Sequence, residues 1–144
     1  MIKTDNEAII KKIEELRDSL QKLQEFHEMD KNAYISDYHN YGLAEHYMQQ
    51  ALEKVLDISR HLVLSLEFKM PDDSHNLFSL LAKAKILSAE FVKRNTKLAG
   101  FRNRLVHDYD EIDHQKTYEY LRAHMEDLRN FIKQVSKYIL KQSK

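Results

Sequence analysis

The chain has no cysteine, two glycines and one proline among its 144 residues. Without cysteine there is no disulfide framework, no thiolate metal cluster and no cysteine nucleophile, and the redox compartment leaves no mark. The two glycines, Gly42 and Gly100, cannot supply a P-loop or a dinucleotide fingerprint. Together with the lone Pro71 they are too few for the turns of a β-sandwich or barrel, so an all-α fold is expected. No apolar run approaches the length of a membrane span, since Leu62-Val63-Leu64 is cut at once by Ser65. No membrane partner is therefore expected. The opening Met1-Ile2-Lys3-Thr4-Asp5 lacks the apolar core of a secretion signal, which makes the cytoplasm the expected location.

What is present suits one folded domain over residues 1–144. Charged residues make up 32% and apolar residues 42% of the chain. Lys and Arg equal Asp and Glu at 23 each, but their placement is uneven. Residues 1–72 hold 9 basic and 14 acidic side chains, net −5, and residues 73–144 hold 14 and 9, net +5. Between Lys83 and Arg104 there are seven basic residues against Glu90 alone. Such a stretch on a neutral chain fits a focused anionic ligand, or a merely solvated helix face.

Apolar residues recur at helical spacing almost throughout. Ile9, Ile13, Leu16, Leu20 and Leu23 predict a first helix from about Asp5 to Met29, broken by Asp30-Lys31-Asn32. Ala44, Met48, Ala51, Val55, Ile58, Leu62 and Leu66 stripe a second long helix. Met70-Pro71-Asp72-Asp73-Ser74 ends it and caps a short third helix marked by Leu77, Leu81 and Ala84. Ser88 caps a fourth, with the stripe Phe91, Leu98, Leu105, Tyr109. Asp113 caps a fifth, striped by Tyr118, Leu121, Met125, Leu128, Ile132, Val135 and Ile139. Alternating steps of three and four predict an antiparallel bundle of four to five helices, with no internal repeat or linker.

The fourth helix breaks two local rules within three residues. Its stripe places a core position at Arg102, and a guanidinium in an apolar seam is costly unless it is paired or faces a ligand. Gly100 sits inside the same helical pattern, where it costs about 1 kcal/mol relative to Ala and usually marks a bend or close backbone approach. His107 follows five residues after Arg102, about 140° away around a continuous helix. Either the helix unwinds near Val106, or a second subunit completes one site across a two-fold axis. An Arg five residues before a His is expected about 0.4 times by chance in a chain with seven arginines and eight histidines, so the bare pair means little.

The surrounding residues are more specific. Gly100-Phe101-Arg102-Asn103-Arg104-Leu105-Val106-His107-Asp108-Tyr109 resembles the R-x-x-x-x-H-x-Y motif of HepT-like toxins, a branch of the HEPN superfamily. The segment from Pro71 to Leu87 and the lead Asp110-Glu111-Ile112-Asp113 resemble the same family, in the same helix order. The resemblance implies a helical homodimer acting as a metal-independent ribonuclease, held in check by a nucleotidyltransferase antitoxin. It implies catalytic roles for Arg102 and His107 and a modification, adenylylation, at Tyr109.

The residue chemistry is compatible with RNA as the substrate. Cleavage by a neighbouring 2′-hydroxyl needs a base and an acid, and imidazole titrates in the range for either. The developing phosphate charge needs a fixed, forked cation, which Arg102 offers. Asn103 is a candidate for orienting the phosphate or the imidazole. Arg104 and Lys97 are candidates for neighbouring phosphates, and Glu45 for an acidic partner of Arg102.

Structural readings stand beside these. Arg102 fits a packing arginine paired to an acid, His107 a C-terminal helix cap, and Tyr109 a core tyrosine with a wet hydroxyl. Tyr34, Tyr38, Tyr41, Tyr47, His39 and His46 either line the site or simply pack. Glu111-x-x-His114 has the spacing of half a di-iron site, but it is a single pair beside a helix start, so no metal or cofactor is expected. Besides a ribonuclease toxin, the chain fits a catalytically silent HEPN domain that binds nucleotide or docks onto a nucleotidyltransferase. A purely structural adaptor is disfavoured by the charge in the seam.

Overall fold

The computed structural model describes residues 3–107 and 111–142. They form seven helices: α1 (Lys3–Glu28), α2 (Lys31–Ser36), α3 (Tyr38–Ser65), α4 (Ser74–Lys83), α5 (Ala89–Arg94), α6 (Leu98–His107) and α7 (His114–Gln142). There is no strand among the described residues. The three long helices make the core, because each carries an unbroken apolar stripe. Ile9, Leu16 and Leu23 of α1 meet Leu52, Leu56 and Ile58 of α3 and Leu121, Phe131 and Val135 of α7 in one buried cluster. Helix α1 runs antiparallel to α3, as the ion pairs Lys12–Asp57 (4.0 Å) and Glu15–Lys54 (2.8 Å) together show. It is also antiparallel to α7, where Tyr118 donates to the Met29 carbonyl (2.7 Å) and Arg122 to the His27 carbonyl (2.9 Å). The short helices α4 and α6 pack on α3.

Local chemistry accounts for the ends. Asp30 accepts from the Asn32 and Ala33 amides, Asp37 from His39, Asp73 from Asn76, Ser88 from Phe91, and Asp113 from Gln115 and Lys116. Each satisfies amide groups that a helix start leaves unpaired. The expected caps at Ser88 and Asp113 and the stripes of the first, second and fifth predicted helices are all present.

Two elements differ from the sequence reading. The stretch after Asp30 is a short helix of its own, α2, because Asp30 starts a new turn as well as ending α1. The predicted fourth helix is two helices. Asn95 stops α5 by returning its side-chain amide to the Phe91 carbonyl (2.8 Å), with its own backbone amide on the same oxygen (3.1 Å). The chain then restarts when the Leu98 amide donates to the Asn95 carbonyl (3.2 Å). Phe91, Leu98 and Leu105 are all buried regardless, so the seven-residue spacing reported the core face but not the break.

A polar chain crosses the core where α2, α3 and α7 meet. Thr117 donates to Glu45 Oε2 (2.7 Å), and His114 Nδ1 lies 2.7 Å from the same oxygen. The threonine's one proton is thus used, so Tyr34 donates its hydroxyl to Thr117 Oγ1 (2.7 Å). Burial pushes the Tyr34 phenol up; the Thr117 hydroxyl opposes this and the Glu45 charge adds to it, so the donor keeps its proton. Tyr41 stacks on the His114 ring at 3.6 Å. Thr117→Val leaves the Tyr34 hydroxyl without an acceptor and the carboxylate short of one donor. A loss of about 1–3 kcal/mol is expected, seen as a fall of roughly 3–10 °C in a thermal melt. An unchanged melt would show that the chain carries no stability.

Candidate functional site

Helix α6 has two faces, and its sequence sorts chemistry between them. Leu98 and Leu105 are buried, and Phe101 stacks flat on Tyr120 of α7 with ring centres 3.9 Å apart. Lys97 just before the helix, then Gly100, Asn103, Arg104 and His107, follow the three-and-four spacing of the opposite face, and all five are exposed. Four of the residues singled out from sequence therefore share one exposed stripe. Asn103 lies one turn before His107 and is its side-chain neighbour rather than that of Arg102. Lys97 is at the far end, about 15 Å along the axis from His107, so it cannot meet the same phosphate.

Gly100 lies in the middle of this stripe. A Cβ built there meets no atom within 4 Å. Nothing in the protomer itself approaches closely, and the glycine leaves a bare strip of backbone on the exposed face.

Arg102 lies apart, in the seam with Leu98 and Leu105, and it is half-buried. Its Nε is shielded from solvent and has no hydrogen-bond partner, and among the described residues the guanidinium forms no ion pair. The expected pairing with Glu45 does not occur. Glu45 is buried and already taken by His114 and Thr117. His114 is thereby tied to Glu45, and the described residues contain no group of three or more His, Asp or Glu side chains able to hold a metal ion.

Helix α6 is continuous through His107, so unwinding near Val106 does not bring Arg102 and His107 to one side. They leave flanks of the helix about 140° apart. Beneath the helix, Phe101, Arg104 and Leu105 line a cavity of about 100 Å³ with Glu111, Lys116 and Thr117 of the α7 approach. That is too small for a nucleotide, which needs several hundred cubic ångströms. Tyr109 lies outside the described residues.

The tyrosine and histidine cluster of α2 and α3 is mainly packing. Tyr34 is wholly buried, Tyr41 covers His114, and Tyr47 faces the Lys22 ammonium at 5.2 Å with His46 edge-on to it. Tyr38 is exposed and lies against His39. The sequence reading missed the ladder from Phe101 through Tyr120 and His124 to Asp127, where Arg94 also ends (2.8 Å). The four-residue step from Tyr120 to His124 and the three-residue step from His124 to Asp127 were its sequence signals.

A family model described as Ribonuclease HepT-like matches residues 9–135. The chain belongs to the HepT-like family. It is similar to a tRNA nuclease HepT of Aphanizomenon flos-aquae, 26% identical over 121 residues that span 84% of this chain and 82% of that protein. It is equally similar to an mRNA nuclease HepT of Shewanella oneidensis, 26% identical over 127 residues, 88% of this chain and 95% of that one. Among solved structures, a tri-AMPylated Shewanella oneidensis HEPN toxin in complex with MNT antitoxin matches with a TM-score of 0.79 at 25% identity. That match covers 90% of this chain and 96% of the other.

Within this HepT-like fold, Arg102 and Arg94 have opposite relations to stability. Arg94 satisfies a buried acid, whereas Arg102 leaves a shielded donor unpaired. Arg102→Met, similar in length and apolar, is expected to keep or raise the unfolding free energy by up to about 1 kcal/mol. Arg94→Met should lower it by roughly 1–3 kcal/mol. Urea denaturation followed by circular dichroism measures both. A clear loss in Arg102→Met would mean that the side chain is anchored structurally.

Proposed function

We propose that this chain is a ribonuclease toxin of a toxin–antitoxin pair, and that a homodimer assembles Arg102 and His107 into its active site. The observation that carries the reading is the unpartnered Arg102 guanidinium in the apolar seam of α6, five residues before an exposed His107. A chain selected only for stability has no use for such a group. The nuclease relatives and the family membership support the same reading. The bare backbone at Gly100 is where two copies of α6 approach across a two-fold axis, so that Arg102 of one protomer and His107 of its partner face one RNA phosphate.

The reaction is intramolecular transesterification. The 2′-oxygen attacks the adjacent phosphorus while the His107 imidazole takes its proton. The bond to the 5′-oxygen breaks, and that oxygen takes a proton from the imidazolium or from water. Arg102 holds the non-bridging oxygens as their charge grows. Asn103, one turn from His107, orients the imidazole, and Arg104 and Lys97 hold neighbouring phosphates. The products are a 2′,3′-cyclic phosphate and a 5′-hydroxyl, and no divalent metal is needed. Arg102→Ala and His107→Ala should each reduce cleavage and growth inhibition by at least a hundredfold, with melts within a few degrees of wild type. Full loss of activity in EDTA, restored by magnesium, would overturn the mechanism. A silent domain that only binds nucleotide or docks onto a partner predicts no cleavage by any of the three proteins.

The partner in this reading is a nucleotidyltransferase antitoxin, as in the complex of the Shewanella toxin. That toxin is tri-AMPylated, and the acceptor in this reading is Tyr109, the tyrosine of the R-x-x-x-x-H-x-Y motif. Its phenol oxygen attacks the α-phosphorus of ATP, pyrophosphate leaves, and the phenol proton passes to solvent. The new phosphodiester is drawn to Arg102 and Arg104 and occupies the place of the scissile phosphate. Tyr109→Phe should still cleave RNA yet escape silencing on co-expression with the partner. Intact-mass measurement of the wild type should show added AMP, and an inhibited but unmodified chain would replace modification with simple occlusion.

A further inference from the structure

Two grooves meet on the C-terminal half of α7, at the other end of the bundle from His107. One, of about 660 Å³, lies between α1 and α7 and is rimmed by Arg17, Arg129, Lys133 and Lys137. The other, of about 510 Å³, lies between α7 and the α4–α5 connection and carries Lys85, Lys137 and Lys141. Lys137 belongs to both, and neither groove has an acidic residue in its lining. In the groove that α1 shares with α3, Glu14, Glu15 and Asp18 are matched by Lys11, Lys22 and Lys54, whereas Arg17 faces α7, where the groove lining has no acid.

Lys133, Lys137 and Lys141 are spaced by four, so they form one row that steps by about 6 Å along the helix. All three are exposed, and among the described residues none forms an ion pair. Arg129 is less free, held by Glu126 (3.1 Å) and Gln24. The helix macrodipole favours a cation in the last turn, which accounts for Lys141 but not for Lys133, more than two turns earlier. Several unneutralised ammonium groups on one ridge make a field for a polyanion. A row of single-point donors between two grooves suits a phosphate strand that tracks along it. An acidic protein helix would seat within one groove and leave the other cations unmet.

We propose that the Lys133–Lys137–Lys141 ridge is a second RNA-binding surface that holds the sugar–phosphate backbone of the substrate away from the cleavage centre. This rests on the ribonuclease reading. From Thr117, beside Arg104 at the foot of α6, the ridge begins about 24 Å along α7 and ends about 36 Å along it. Only an RNA long enough to span that distance engages both, so the substrate class is a longer or folded RNA rather than an oligonucleotide of two or three residues. Point-charge lysines hold phosphates without reading bases, so the ridge sets length and shape preference, not sequence.

The test uses the full chain carrying Lys133→Gln, Lys137→Gln and Lys141→Gln together, with folding checked by circular dichroism. Binding of a fluorescein-labelled hairpin RNA that can span the bundle is measured in the His107→Ala background across a salt series. Cleavage of that hairpin and of a single-stranded trinucleotide is measured with His107 intact. The ridge variant should weaken hairpin binding at least tenfold and make its salt slope shallower by about 2. Hairpin KM should rise while trinucleotide cleavage stays at wild-type rate. Cleavage of the hairpin with an unchanged salt slope overturns the ridge and leaves the ribonuclease reading standing. Ridge-dependent binding without any cleavage does the reverse. Wild-type hairpin binding by the ridge variant, together with loss of co-purification with a co-expressed nucleotidyltransferase partner, overturns the proposal and assigns the ridge to protein docking.

Discussion

An α-helix turns by about 100° per residue, and α6 keeps that geometry unbroken from Leu98 to His107. Arg102 and His107 therefore leave the helix on flanks about 140° apart within one chain. The remaining features of the site follow from this constraint. The histidine stands on an exposed stripe with Asn103 and Arg104, the arginine sits in the apolar seam, and a glycine without neighbours separates two turns of the exposed face. A single protomer holds Arg102 and His107 on flanks of α6 about 140° apart, and the homodimer proposed above would bring one of each together across a two-fold axis.

The fold spends its polar interactions on holding α6 and the approach to α7, not on satisfying Arg102. Phe101 is clamped by Tyr120, and the same ladder continues through His124 to Asp127 and Arg94. Glu45, His114, Thr117 and Tyr34 tie the start of α7 to α2 and α3. These contacts anchor the described residues on either side of the motif: Phe101 in α6, and His114 and Thr117 at the start of α7. The charge gradient along the chain has a spatial meaning as well. Acids and lysines balance in the groove between α1 and α3, and lysines without an ion pair among the described residues line the far end of α7.

Much of this was legible in the sequence because helical periodicity reports burial directly. The stripes of α1, α3 and α7 required no knowledge of neighbours, and neither did the caps at Ser88 and Asp113. The break at Asn95 was not legible, since Phe91, Leu98 and Leu105 keep their spacing whether or not the helix is continuous. Arg102 was legible as an anomaly because its position is apolar in the pattern. Its relation to Glu45 was not, because that depends on how α3 and α7 come together. Glu45 is claimed by Thr117 and His114, residues whose significance appears only in three dimensions. The lysine ridge was hidden for the same reason, as a four-residue basic repeat looks like any solvated helix face until Arg17 and Lys85 are seen beside it.

The shared active site is tested most directly by subunit mixing. Arg102→Ala and His107→Ala proteins, each inactive alone, are combined under conditions where protomers exchange, and exchange is followed with differently tagged copies. In a mixed dimer both substitutions fall on the same composite site, and the other site keeps an intact Arg102 from one protomer and an intact His107 from its partner. With random pairing, about a quarter of wild-type RNA cleavage should return. No recovery despite verified exchange would contradict the account.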